Sequence, residues 1–408
     1  MSTDARGWRE RPAGAAYAGH FLFGIVMALL GAILPELSSR IGIDLAQAGT
    51  LFLVMNACIL LSSLGLGPVM DRFGMKPPLV IGPVLAGGGL LAVALAQHYE
   101  PLAWGVALLG LGGGALNSAG NTLVADLHEA PEKRSAALNL LGVFYGIGAL
   151  FIPLAIGLLL AAADLTTILM VAVLLCVAVA GRNALVSLPR PKHERHLALG
   201  EIVRFLREPF VLLFAALLFF QSGNEFVAGG YVSSFLVREN GFSVRAASWA
   251  LSGYWVALML ARLVLSRVAL RMNGSRLLVL CAVASAAGTA LLATSRHPAL
   301  SVLAVAWIGA ALAGIFPTAL GIVGARYPAF TGTVFGLLLT AALTGGMLLP
   351  WLTGLVGETH GLRPALVVVA AQFLAIAALA ALAGRRPAGG SAFARHSGFG
   401  SGGGPSGM

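Results

Sequence analysis

One carboxylate lies inside a long apolar segment, where it could carry a proton or bind a cation. Glu225 lies in the stretch 221–226 (QSGNEF), far from either end of a predicted helix. An ionised carboxylate at the centre of a bilayer costs about 2.5 kcal/mol or more, so this side chain must face water, a cation or a partner, or hold a proton. We predict that Glu225 is a coupling group for H⁺ or Na⁺. The alternative is a hydrogen-bonded glutamate that braces its helix against a neighbour.

Further polar and aromatic residues in the apolar segments could bind a solute. Amides match hydroxyl groups, and aromatic faces stack on sugar rings or apolar bodies. Pairs four residues apart share one face of a helix. The predicted solute-binding residues are Asn56, Asn117, Asn121, Asn139, Gln221, Asn224, Tyr254 and Trp255. The alternative for each is a hydrogen bond between helices, worth about 0.6 kcal/mol.

Arg262 is the second charge within an apolar segment. It lies about five residues from one end of its predicted helix, and Glu225 lies about sixteen residues from the same side of the membrane. At 1.5 Å per residue the two depths differ by about 15 Å, so we predict that they do not form a direct ion pair. Arg262 either extends its guanidinium toward the interface or belongs to a gate.

The composition requires a membrane. Of 408 residues, 58% are hydrophobic and 10% charged, whereas soluble domains are about 25% charged. Long apolar segments predict an all-α membrane protein of twelve spans. The predicted spans are 17–37, 45–70, 77–97, 102–125, 136–162, 167–188, 209–236, 246–267, 276–294, 299–325, 332–356 and 364–384.

The two halves of the sequence resemble each other at an offset of 199 positions. Gly31 matches Gly230, Gly42 matches Gly241, and Gly110 matches Gly309. Such a repeat predicts two pseudo-symmetric six-helix bundles that enclose a site between them. The predicted domains are 1–188 and 209–386, with a cytoplasmic linker at 189–208 and a disordered Gly/Ser-rich tail at 387–408.

The distribution of basic residues predicts the orientation. With the N-terminus inside, twenty of the 26 Lys and Arg residues lie in inner segments and five in outer loops. This places both termini in the cytoplasm of a plasma (inner) membrane protein. It also explains the net charge of +10, so we expect no nucleic-acid partner. The sequence contains no recognisable enzyme motif or metal-ligand spacing, and we expect neither catalysis nor a cofactor.

The segment 67–76 (GPVMDRFGMK) resembles the G-x-x-x-D-R-x-G-x-K/R signature of the major facilitator superfamily. The resemblance implies alternating access between two bundles, with Asp71, Arg72 and Lys76 in a lock that favours the outward-open state. It also implies a place for Arg262 in the inner gate. The second half has Leu270 where the aspartate would be, so the lock is expected on one side only.

The segment 114–121 (GALNSAGN), together with 138–140 and 316–318, resembles the fucose:proton symporter branch of that superfamily. Asn121 and Asn139 match polar positions of the family. Asn117 and Ala28 occupy positions where sugar symporters of the branch carry carboxylates. The usual proton-carrying pair is therefore absent.

These observations predict a monomeric secondary transporter that takes up a small polar organic solute, with a sugar as one candidate, by proton- or cation-coupled symport. Its other partner is membrane lipid. The alternatives are a proton-antiport exporter of drugs or metabolites, an uncoupled facilitator, and a membrane protein without transport activity.

Overall fold

A computed structural model describes residues 4–128, 131–188, 204–268 and 271–385. Thirteen α-helices lie in these residues, and a short 3₁₀ helix, Pro328–Phe330, precedes α12. The helices are α1 Asp4–Ile41, α2 Leu45–Phe73, α3 Lys76–Leu95, α4 Tyr99–Leu127, α5 Pro131–Leu159, α6 Leu165–Leu185, α7 Pro209–Asn240, α8 Val244–Val268, α9 Gly274–Thr294, α10 Pro298–Leu312, α11 Ile315–Arg326, α12 Thr331–His360 and α13 Leu362–Arg385. The predicted tail, most of the predicted linker and the side chain of Asp71 lie outside the described residues.

The helices form twelve segments long and apolar enough to cross a membrane, which confirms the predicted number. The tenth predicted span, 299–325, coincides with one crossing segment, Pro298–Arg326. Within it two helices, α10 and α11, meet at Ala313–Gly314. Pro317 lies in the first turn of α11, where its missing N–H removes a bond that would otherwise continue the helix from α10.

The internal repeat is visible in the geometry. Gly42 and Gly241 both end the first long helix of their half with φ of 70°, a conformation that favours glycine. A Cβ on Gly110 would meet the backbone of Met55, and a Cβ on Gly309 would meet the backbone of Tyr254, the residue 199 positions later. The chain therefore folds as two pseudo-symmetric six-span bundles.

The two ends of the molecule are named here after the connections that lie there. The Gly42 face carries the turn between α1 and α2, and the Gly74 face carries the turn between α2 and α3. Because each span reverses the chain direction, the connection 241–243 between α7 and α8 lies at the Gly42 face. A hydrogen bond from Arg238 to Ser38 joins the two halves there.

Contacts hold the halves together at the Gly42 face. The Leu45 N–H donates to the Glu358 carboxylate at 2.9 Å, and the Arg245 side chain donates to the Gly157 carbonyl at 2.8 Å. The backbones of α1 and α7 touch at Gly31 and Gly229. Gly146 of α5 packs on Met259 of α8. Asn139 lies on the same side of α5 but two turns further from the Gly42 face, and there it is exposed. The halves therefore close at the Gly42 face and separate toward the Gly74 face.

Candidate functional site

A small cavity lies between the two halves near the middle of α7. Its volume is about 20 Å³, which is room for about one water molecule, so the halves must move apart before it can hold a solute. Its wall is formed by Met27, Phe52, Tyr145, Glu225, Phe226, Gly229, Gly230 and Trp255. The first three belong to the N-terminal half and the others to the C-terminal half, so a relative movement of the halves changes the shape of this cavity.

Glycines on α7 allow the surrounding helices to come close. A Cβ on Gly230 would meet the ring of Phe52 on α2, and one on Gly31 of α1 would overlap the Gly229 carbonyl. The side chain of Phe52 fills the space left above Gly230, and its ring meets the Tyr231 ring at an angle of 43° with centroids 5.5 Å apart. The cavity is therefore closed toward the Gly42 face by direct backbone and ring packing.

Glu225 is the acidic residue of the cavity wall. One of its oxygens, Oε2, accepts a hydrogen bond of 2.8 Å from the Gln221 amide, one turn earlier on α7. The other, Oε1, lies 4.0 Å from a terminal nitrogen of Arg262 on α8. The Glu225 side chain is 19% exposed and that of Arg262 is 34% exposed. The pair thus lies at the boundary between packed protein and the open space toward the Gly74 face.

The prediction that Glu225 and Arg262 are too far apart in depth is wrong. It counted residues from the Gly74 face, where α7 extends beyond α8. Counted from the connection 241–243, Glu225 lies 15 residues and Arg262 18 residues along their helices, a difference of about 5 Å. Side chains also tilt toward the N-terminus of their own helix. Because α7 and α8 are antiparallel, the two side chains tilt toward each other.

Aromatic rings surround the remaining wall. Trp255 meets Tyr145 edge-to-face with ring centroids 6.5 Å apart, which joins α8 to α5 across the halves. Trp255 also packs at 5.1 Å on Tyr254, whose ring is fully buried behind it. The Trp255 indole nitrogen and the Tyr254 hydroxyl are buried and have no hydrogen-bond partner among the described residues. Of these two predicted residues, only Trp255 lines the cavity.

Two other predicted residues are fully buried beside this region. Asn56 donates to the Phe52 carbonyl of its own helix at 3.0 Å and leaves its side-chain oxygen without a described partner. Both polar atoms of the Asn224 side chain are also buried without a described partner. Buried amides without partners are costly, so these residues are available for hydrogen bonds that the described contacts do not supply.

The remaining amides form a separate group on the N-terminal half. Asn121 donates to the Asn117 side-chain oxygen at 2.9 Å and contacts the imidazole of His20 on α1 at 3.2 Å. Neither asparagine lines the cavity. Asn139 is exposed on α5, two turns closer to the Gly74 face than Gly146. The structure therefore does not bring these three residues to Glu225.

The predicted lock lies at the end of α2 and the start of α3. The second span was predicted to end at residue 70, but α2 continues to Phe73 and leaves only Gly74 and Met75 between the helices. Arg72 is exposed and lies over the Phe73 ring at 5.2 Å, and Lys76 is exposed at the first turn of α3. The side chain of Asp71 is outside the described part of the structure, so the lock stays a prediction.

Sequence reasoning missed Met27, Phe52, Tyr145 and Phe226, which line the cavity. Of these four, Tyr145 could have been predicted from the sequence as a site residue, because its hydroxyl group lies within an apolar span near the glycines of α5. Within the described residues, no group of three or more His, Cys, Asp and Glu side chains is placed to bind a metal. The three cysteines are free.

Comparisons with known proteins agree with the geometry. The family model described as Major Facilitator Superfamily matches twice, over residues 16–223 and 214–400. A 4-hydroxybenzoate transporter, PcaK of Pseudomonas putida, is 36% identical over 118 residues. That match covers 29% of this chain and 26% of the relative, so it spans about a quarter of each protein.

Crystal structures share the fold. The nucleoside transporter NupG has a TM-score of 0.76 at 15% identity, and the match covers 93% of this chain and all of the other, 100%. A variant of the E. coli fucose:proton symporter, FucP, has a TM-score of 0.62 at 19% identity, with coverage of 92% and 99%. These identities support a common fold and carry no information about the solute.

Proposed function

The chain belongs to the major facilitator superfamily, and on this premise we propose that it takes up a small polar organic solute by secondary active transport, coupled to H⁺ or Na⁺ through Glu225. Members of this family move small solutes across membranes, and the chain is a multi-pass membrane protein rather than an enzyme. The named solutes of its relatives differ widely, from 4-hydroxybenzoate to nucleosides and fucose. A sugar remains one candidate.

The arrangement around Glu225 is the observation that carries this proposal. The carboxylate lies at half the depth of α7, in a cavity wall shared by both halves, and it is partly exposed. A carboxylate at that depth needs a partner or a proton. Arg262 at 4.0 Å and Gln221 at 2.8 Å stabilise its ionised form, and the 19% exposure of its side chain gives protons access. Glu225 can therefore exchange a proton with one aqueous side at a time.

Alternating access follows from the contacts between the halves. Two bundles, 1–188 and 209–386, rock about the cavity, and the closed Gly42 face opens when the Gly74 face closes. The protein lies in a plasma (inner) membrane with the Gly74 face and both termini in the cytoplasm, an orientation that the charge distribution supports. In this orientation the described conformation is open to the cytoplasm. The protein acts as a monomer, because each chain contains a complete pair of bundles.

A proton-antiport exporter is the second candidate. The cavity wall is largely apolar, with Met27, Phe52, Phe226 and Trp255, and such a wall suits drugs or apolar metabolites. An uncoupled facilitator would not depend on Glu225. The direction of the pH gradient that drives accumulation separates import from export, and the effect of substituting Glu225 separates coupled from uncoupled transport.

Uptake into proteoliposomes tests the proposal. Vesicles with an alkaline interior are given labelled D-xylose, L-fucose, uridine or 4-hydroxybenzoate, with and without the gradient. We expect one solute to accumulate only with the gradient. Glu225→Gln should abolish accumulation but retain exchange of labelled for unlabelled solute, since exchange needs no net proton movement. Glu100→Gln, which alters an exposed carboxylate on α4, is the matched control. Undiminished accumulation by Glu225→Gln would remove Glu225 from coupling.

A further inference from the structure

The Glu225–Arg262 pair limits the chemistry of the solute. Building on the proposed function, we propose that the transported solute is a small monocarboxylate with an aromatic body, and that Arg262 binds its carboxylate when a proton occupies Glu225. The aromatic wall of the cavity holds the body of the solute. The geometry of the arginine, the balance of charge and the composition of the wall each support this assignment.

Arg262 has N–H donors that are not used in short hydrogen bonds to Glu225. Its terminal nitrogen lies 4.0 Å from Glu225, whereas a hydrogen bond between charged groups is about 2.7–2.9 Å long. The Arg262 Nε is buried and has no hydrogen-bond partner among the described residues. A guanidinium presents five N–H donors in a planar fork that fits a carboxylate. The loose pair therefore leaves room for a second carboxylate on Arg262.

Charge balance then favours an anion over a neutral solute. The ionised pair has no net charge. When a proton from water binds the Glu225 carboxylate, Arg262 loses its counter-charge. An unpaired cation is costly once the Gly74 face closes and excludes water from it. A solute carboxylate restores neutrality, but a neutral sugar does not. The empty pair and the state with both proton and anion are thus the two neutral states, and these are the ones suited to movement between the faces.

Within the described residues, few other charged or titratable groups lie near the pair. The nearby ones include Tyr145 on α5, which lines the same cavity as Glu225, and Tyr254 on α8, which packs against Trp255 of that wall. His20 on α1 lies two turns from Met27 toward the Gly74 face and is engaged with Asn121. Among these groups Arg262 is the fixed cation, so an anionic solute has one defined place to bind.

The composition of the cavity wall suits a flat apolar body, which enters when the two halves move apart, because the described space of about 20 Å³ is too small to hold one. Four of its eight residues are aromatic: Phe52, Tyr145, Phe226 and Trp255. Aromatic rings prefer offset or edge-to-face contacts with other rings, worth about 0.5–1.5 kcal/mol beyond burial. Because Arg262 lies two turns from Trp255 toward the Gly74 face, a carboxylate on Arg262 leaves the body of the solute pointing into this wall.

Isothermal titration of the full-length protein in detergent tests the proposal. Benzoate is the probe, benzyl alcohol is its neutral analogue, and titrations into protein-free micelles are subtracted. Repeating each titration in buffers with different ionisation enthalpies gives the number of protons taken up. We expect benzoate to bind with uptake of about one proton at neutral pH, and benzyl alcohol to bind at least about tenfold more weakly.

Two variants and one control complete the test. Arg262→Gln should weaken benzoate binding at least about tenfold, since it removes a charged hydrogen-bond donor. Glu225→Gln should bind benzoate without proton uptake and without dependence on pH. Arg267→Gln, an exposed arginine further along α8, should bind like the parent protein. Equal binding of benzoate and benzyl alcohol, or unchanged binding by Arg262→Gln, overturns the proposal.

The results also separate this inference from the proposed function. If benzoate fails to bind but gradient-driven uptake of a neutral sugar requires Glu225, the solute class is wrong and the coupled transporter stands. If benzoate binds with one proton but no gradient drives its accumulation beyond that of protein-free vesicles, the binding site stands and the proposed transport is wrong.

Discussion

Replacing Gly31 by alanine should force the Gly42 face open. Gly31 of α1 lies directly against the Gly229 carbonyl and the Gly230 backbone of α7, and a Cβ there would be 2.9 Å from the Gly230 Cα and closer still to the carbonyl. The flanking atoms are backbone, so no side-chain rotation relieves the overlap. The two helices must separate by on the order of 1 Å to restore normal contact distances.

The size of the effect follows from the cost of overpacking. An added methyl group in a packed core costs about 1–3 kcal/mol. This cost falls on the conformation closed at the Gly42 face, because only there do α1 and α7 touch at this point. A penalty of 1–3 kcal/mol changes the ratio of two conformations about 5- to 150-fold. Gly31→Ala should therefore populate a conformation open at the Gly42 face.

Distances between spin labels at positions 39 and 243 measure this opening. Ser39 and Ser243 are exposed on opposite halves at the Gly42 face, and the three native cysteines are replaced first. We expect the Gly31→Ala protein to show a longer distance than the parent. Gly253→Ala on α8 is the control, because a Cβ there has no neighbour within 4 Å. If Gly31→Ala elutes as a folded protein with the parent distance, the packing argument is refuted.

Three further predictions test individual contacts. Glu358→Gln should weaken closure of the Gly42 face by a few tenths to about 1 kcal/mol, because the carboxylate lies at the N-terminus of α2; the same labels measure it. Arg363→Ala should lower the melting temperature more than Arg40→Ala. Arg363 donates hydrogen bonds of 2.9–3.0 Å to carbonyl groups at the end of α9, whereas Arg40 donates longer ones of 3.2–3.4 Å to carbonyl groups at the end of α3. Equal shifts in melting temperature would contradict this. Tyr231→Phe should cost about 1 kcal/mol of stability by removing the buried hydrogen bond to Pro350, and an unchanged thermal midpoint would argue against it.

The sequence predicted the elements that depend on local pattern. The twelve spans follow from length and apolar content, and the repeat follows from glycines such as Gly42 and Gly241, whose left-handed conformation is a local property. The position of the break between α10 and α11 was not predicted, because Pro317 marks a disturbed helix without indicating on which turn the chain breaks.

The site was predicted less completely because it depends on relative depth and on packing between spans. The choice of Glu225 needed only its charge and its distance from helix ends. Its contact with Arg262 depends on how far α7 extends beyond α8, which composition alone does not define. Tyr145 reaches the cavity only because α5 packs on α8 at Gly146. The group formed by Asn117 and Asn121 bonds within its own half instead of reaching the cavity.

Alternating access about the Glu225 cavity is the central claim, and one paired measurement tests it most directly. Spin labels at 39 and 243 report the Gly42 face, and labels at 134 and 267, exposed on α5 and α8, report the Gly74 face. The account predicts that when lower pH and added solute shift the conformational equilibrium, one distance lengthens as the other shortens. Two distances that stay fixed, or that lengthen together, under every condition would contradict it.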